Sequence, residues 1–164
     1  MKKLAILFFS IFFIFSCSKK FSVVAEKGKQ FPEFTVKSVD GKQTFKSSDI
    51  LKEGKKTLFV VSAEWCPHCV NQSPDIQRYY DEHKDNVNVV VVYSTKNSSP
   101  EAVKEYLERN QYTFPAYYDY DDVIFDGASV EGFPLNVFIG ADGKIIDVVN
   151  GEIDYSVLEE NLGQ

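Results

Sequence analysis

The residues Trp65-Cys66-Pro67-His68-Cys69 stand between an apolar run, Thr57-Leu58-Phe59-Val60-Val61, and a segment with helix-compatible spacing, Val70 to His83. The run has the length and β-branched content of a buried strand. A Cys-x-x-Cys at a strand-to-helix join puts Cys66 at the helix N-terminus. There, unpaired backbone N–H groups and the helix dipole favour a thiolate over a thiol. Cys69 follows one turn on, close enough to close a disulfide. A zinc site would need four ligands, and no second cysteine pair exists. His68 lies inside the same loop, and His83 alone does not complete a metal shell. A purely structural disulfide is the other alternative; the pattern favours redox exchange, with no metal and no organic cofactor.

Upstream, the chain opens Met1-Lys2-Lys3, runs apolar from Leu4 to Phe15 and reaches Ser16-Cys17. A basic start, a short apolar core and a small residue before the cleavage point describe a secretory signal over residues 1–16. The run is short for a membrane span. Ile14-Phe15-Ser16-Cys17 resembles a bacterial lipobox, which implies that Cys17 is acylated and becomes the new N-terminus. An uncleaved anchor, or an ordinary signal with an incidental cysteine, is the alternative. Removal of residues 1–16 leaves 148 residues of the 164, enough for one domain. It also takes the net charge from −6 to −8, because two lysines are lost. An acidic surface argues against nucleic acid and against electrostatic adhesion to anionic lipid, so the lipid would hold the protein to the membrane. Export places Cys66 and Cys69 where a disulfide persists. Residues 17–30 are polar, aperiodic and read as a tether with roughly 20 Å of reach; residues 31–164 form the domain, expected to be monomeric.

Within the domain, Phe31 to Val36 alternates like a strand, Asp40-Gly41 signals a hairpin, and Gln43-Thr44-Phe45 is its return. Ser47-Ser48-Asp49 can cap a short turn. Val87 to Tyr93 is almost continuously apolar, as a strand covered on both faces would be. Ser99-Pro100 starts a helix that runs to about Asn110. Phe114 to Tyr118 reads as a short strand and Asp121 to Ser129 as a short helix or turn. Leu135 to Ile139 and Lys144 to Val149 are strands joined across Asp142-Gly143, and Asp154 to Leu162 closes the chain as a helix. The order predicts an α/β fold: a mixed central sheet flanked by helices, with an N-terminal β-hairpin extension.

These features resemble the thioredoxin superfamily, and within it the membrane-tethered TlpA/ResA-like group, over roughly Gly28 to Leu162. The residues that carry the resemblance are Phe31-Pro32-Glu33-Phe34, Asp40-Gly41-Lys42, Ala63 to Cys69, Pro74, Val130-Glu131-Gly132-Phe133-Pro134 and Ala141 to Ile145. It implies that Cys66 attacks and Cys69 resolves, with Trp65, Pro67 and His68 completing the motif. It also implies that Pro134 follows a cis peptide beside the disulfide, where the Phe133 backbone pairs with a substrate strand. Many members carry a buried Asp six residues before the first cysteine; Val60 stands there, and Glu64 and Glu131 are candidates to replace it. The Cys-Pro-His-Cys loop is that of DsbA-type oxidases, whereas the rest looks like the TlpA group, so the direction of electron flow is open. A His68 imidazole near the Cys66 sulfur is expected to make the pair more oxidising than an ordinary thioredoxin. The implied enzyme is an extracytoplasmic, lipid-anchored thiol-disulfide oxidoreductase. Its partners would be exported cysteine-containing proteins and a recycling redox protein. Two other functions are a copper-delivery module of the SCO-like type and a non-catalytic structural lipoprotein.

Overall fold

A computed structural model of the protein describes residues 27–52, 54–128 and 131–163. The expected signal segment, Cys17 and the tether up to residue 26 lie outside the described residues. So do Val130 of the resemblance and Ser129, the expected end of a short helix.

The two long apolar runs become neighbouring parallel strands, β3 (Lys56–Ser62) and β4 (Val87–Tyr93). They form the middle of a seven-stranded mixed sheet. On one side of the pair, β6 (Leu135–Ile139) lies antiparallel to β3, and β7 (Ile145–Asn150) returns antiparallel to β6. On the other side β5 (Ala116–Tyr118) runs parallel to β4. The N-terminal hairpin, β1 (Thr35–Ser38) and β2 (Thr44–Lys46), attaches antiparallel to β5 through β1. The expected mixed sheet with a hairpin extension is therefore what the chain forms.

Alternation along β3 and β4 sends side chains to two cores, which is why both strands must be apolar throughout. Leu58, Val60, Val89 and Val91 pack under α2 (Pro67–His83), α3 (Pro100–Asn110) and α5 (Tyr155–Leu162). Phe59, Val61, Val90 and Val92 face the other layer, with Ile124 of α4 (Val123–Gly127) and the N-terminal aromatics. α1 (Ser47–Ile50) is a single turn after β2. At α3 the Ser99 hydroxyl accepts from the Ala102 N–H at 3.2 Å and Pro100 takes the first turn. None of the helices among the described residues is long and apolar enough to cross a membrane.

Two expectations are corrected. Phe31 to Phe34 is not strand: the Phe31 N–H donates to the Gly143 carbonyl and the Phe34 N–H to the Ser47 hydroxyl. Pro32 between them has no donor for a ladder. The segment instead lays two rings on Phe59, with centroids at 5.0 Å for Phe31 and 5.1 Å for Phe34. The domain also begins before residue 31. The Gly28 N–H donates to the Ile145 carbonyl, the Ile145 N–H to the Lys29 carbonyl, and Gln30 bridges Lys144. The polar composition of residues 27–30 hides this, because the contact is made by backbone. Gly143 permits it: its φ is +77°, and a Cβ there would stand 2.3 Å from Gln30 Nε2.

Phe59 is fully buried at the meeting point of these aromatics. Phe59→Ala is expected to cost about 3–5 kcal/mol, read as a lowered urea midpoint with little change in slope. A loss under about 1 kcal/mol would mean that the N-terminal aromatics do not complete this core.

Candidate active site

β3 ends at Ser62, and the chain turns through Ala63-Glu64-Trp65 into α2. The Cys66 N–H donates to the Ala63 carbonyl at 3.2 Å, and the Val70 N–H to the Cys66 carbonyl at 3.0 Å. Cys66 is the N-cap residue, extended at φ −78° and ψ 123°, and Pro67 occupies the first turn where a missing N–H costs nothing. The positive end of the α2 dipole therefore lies at the Cys66 sulfur. Both thiols are free, Cys66 at 6 % exposure and Cys69 at 1 %.

The two cysteines differ in environment. Burial pushes the Cys69 thiol up to about 12, a shift that the Ser62 hydroxyl and the Ala63 backbone only partly offset. Cys69 and Cys66 share their pocket with Ala63 and Phe133. The Phe133–Pro134 bond is cis, Pro134 is buried, and the Cys66 thiol donates to the Phe133 carbonyl at 3.5 Å. Trp65 is 46 % exposed; its Nε1–H donates to the Lys96 carbonyl at 2.7 Å, and its ring meets Phe133 edge-on at 5.9 Å. Phe125 extends this apolar surface, 5.4 Å from Phe133.

Of the two acids that are candidates to replace the missing buried Asp, neither is among the groups that shift the Cys69 thiol. Glu64 accepts from the Ser98 hydroxyl at 2.8 Å, and Glu131 is exposed. Val60 lies opposite Asn136 on β6, and both are fully buried. The polar group beside that position is a neutral amide pair. Gln72 Nε2 donates to Asn136 Oδ1 at 3.1 Å, and Asn136 Nδ2 donates to the Gly151 carbonyl at 2.9 Å. Sequence reasoning missed both amides, which read as ordinary polar positions in a helix and a strand.

His68 is also placed unexpectedly. Its Nδ1–H donates to Glu152 Oε2 at 2.9 Å, and Asn71 Nδ2 donates to the same oxygen at 3.3 Å. These two bonds, His68 first, hold the Glu152 carboxyl below its ordinary range. Glu152 is 84 residues from His68 in the chain, so no local pattern could reveal it. His83 is far from the thiols: fourteen residues along α2 from Cys69 are about 21 Å. There it stacks on Tyr79 at 4.3 Å and pairs with Glu159 at 3.2 Å. A copper-delivery site of the SCO-like type expects a histidine well downstream of the cysteines, and no histidine follows His83 in the sequence. Among the described residues no three His, Cys, Asp or Glu side chains are grouped to hold a metal ion.

Comparison with known proteins adds the following. The Redoxin family pattern matches residues 26–162. The chain is 29 % identical over 146 residues to thioredoxin-like protein YneN of Bacillus subtilis, covering 88 % of this chain and 83 % of that one. It is 26 % identical over 155 residues to thiol-disulfide oxidoreductase ResA of Oceanobacillus iheyensis, covering 93 % and 79 %. Its structure is similar, with a TM-score of 0.68 and 25 % identity, to the pneumococcal exposed lipoprotein thioredoxin Etrx1 of Streptococcus pneumoniae, over 80 % of this chain and 98 % of that one.

The asymmetry of the thiols gives a pH prediction. At pH 8 only about one Cys69 in 10⁴ is a thiolate if it titrates near 12, so iodoacetamide should label Cys66 first and leave Cys69 of a Cys66→Ser variant almost unlabelled. Equal labelling of both thiols, mapped by peptide mass spectrometry, would contradict this. Linkage follows with a definite sign. An unfolded thiol ionises near 9.0 while folded Cys69 holds its proton to about 12. The folded state then binds more protons in that window, so this group lowers the stability of the reduced protein as pH rises through it. Cys69→Ala should flatten that part of the stability–pH curve.

Proposed function

Because the chain belongs to the Redoxin family and is a thiol-disulfide oxidoreductase of the thioredoxin/ResA type, we propose that it exchanges disulfides with exported proteins through Cys66 and Cys69. The observation that carries this assignment of roles is the contrast between the two sulfurs. Cys66 caps α2 beside Phe133 and Pro134, whereas Cys69 is a buried, protonated reserve. In the reducing direction the Cys66 thiolate attacks a substrate disulfide, one substrate sulfur leaves as a thiolate, and a mixed disulfide forms. Cys69 then loses its proton and attacks the Cys66 sulfur. The substrate departs as a dithiol, and two electrons have left the enzyme, which closes its own disulfide. The oxidising direction is the reverse, and a recycling redox partner restores the starting state. The apolar surface of Trp65, Phe133 and Phe125 suits an extended polypeptide lying against the Phe133 backbone.

The enzyme works outside the cytoplasm in this reading, as a monomer held to a membrane by a lipid on Cys17. Support comes from the Met1 to Cys17 pattern and from the pneumococcal relative, described as an exposed lipoprotein. One acyl chain binds only marginally, so stable anchoring implies more than one.

Cys69→Ser expressed in cells should accumulate mixed disulfides between Cys66 and exported cysteine-containing proteins, and the Cys66→Ser/Cys69→Ser variant should accumulate none. Capture of no exported protein would overturn the substrate assignment. Separately, Cys17→Ser should release a soluble product or leave an unprocessed precursor. A mature N-terminus at Cys17 without acyl mass would remove the lipid anchor from the reading.

A further inference from the structure

The segment Gly151-Glu152-Ile153-Asp154 between β7 and α5 is held from several sides. The Gly151 N–H donates to the Pro134 carbonyl at 2.8 Å, and the Gly151 carbonyl accepts from Asn136 Nδ2 at 2.9 Å. The Ile153 N–H donates to Gln72 Oε1 at 3.2 Å. Glu152 therefore stands between two backbone positions fixed to the same elements that carry the dithiol and Pro134. From there its carboxylate takes the Nδ1–H of His68 and the Nδ2–H of Asn71. Asn71 and His68 lie one turn apart on the exposed face of α2, the helix that Cys66 caps.

We propose that Glu152 is a positioning residue for the redox chemistry: it holds the His68 imidazole by its Nδ1–H, offsets its charge, and so keeps the pair more reducing than the Cys-Pro-His-Cys loop would make it. This rests on the exchange reading of Cys66 and Cys69 and adds to it the residue that restrains His68.

The sign follows from charge alone. With the imidazole protonated the His68–Glu152 pair has no net charge, and with it neutral the pair is −1. Neutralising Glu152 makes the surroundings of Cys66 more positive in either state, even after some loss of proton from His68. A freed His68 can also rotate and offer its N–H to the sulfur. Both effects favour the thiolate, hence the reduced form, and raise the potential. Glu152 is itself solvent-exposed, so its direct field at Cys66 is screened and its influence passes mainly through His68.

The experiment equilibrates the full chain with reduced and oxidised glutathione at pH 7 and counts dithiol against disulfide. Glu152→Gln, which keeps an acceptor oxygen but no charge, should raise the equilibrium constant for reduction about 5-fold. At 29.6 mV per tenfold this is about 20 mV more oxidising. The shift should shrink in high salt. In a His68→Asn background, Glu152→Gln should move the constant less than about 2-fold. A shift below about 2-fold with His68 present, a shift toward the disulfide, or an undiminished shift without His68 would overturn the proposal. Failure of the unsubstituted protein to equilibrate at all would instead count against the exchange reading, and Cys66→Ser is the control for it.

Discussion

The fold depends on β3 being enclosed on both faces. A strand with apolar side chains above and below can leave the sheet only at its ends, and at its C-terminal end only four residues separate Ser62 from the next helix. That short connection leaves Cys66 no position but the cap of α2. From this follow its place at the helix dipole, the burial of Cys69 beneath the first turn, and the approach of the Phe133 backbone from β6. A polar residue at Leu58 or Phe59 would damage both the core and the delivery of the nucleophile.

The parts of the molecule that could be read from its sequence are those where one local rule decides the outcome. The continuous apolar runs at Leu58–Val61 and Val89–Val92 specify doubly covered strands. Ser99-Pro100 specifies a helix start, and Asp142-Gly143 a hairpin. The dithiol was legible for the same reason. Phe31 to Phe34 misled because alternation describes side chains only, whereas Pro32 and the partners of the Phe31 and Phe34 N–H groups decide the backbone. Glu64 and Glu131 were plausible relays by proximity in sequence, yet the turn after Ser62 aims Glu64 at Ser98. The Gln72–Asn136 pair and the Glu152–His68 contact join residues 64 and 84 apart, and only the closed fold creates them.

The site thus has two unlike supports. Behind the sulfurs lies a neutral, buried set of amides that ties α2, β6 and the β7–α5 segment together without charge. A buried carboxylate at Val60 would need a partner or a proton, and the amides avoid that cost. In front lies an exposed aromatic surface and a charged rim, where Lys96 pairs with Asp122 at 3.3 Å and His68 with Glu152. Rigidity is concentrated behind the dithiol and electrostatic adjustment in front of it.

The backbone contacts of residues 28–30 have a consequence for crowding. They cover the start of β7 at the margin of the sheet, where free N–H and C=O groups would otherwise invite another strand. The opposite margin, β2, is only three residues long and ends in Lys46. Molecules confined to a surface collide far more often than molecules free in three dimensions, and unprotected margins would zip neighbours into fibres. Under the proposed anchorage at Cys17, the residues that follow the leash also cap the sheet, so the attachment that gathers copies together would carry its own safeguard against their coalescence.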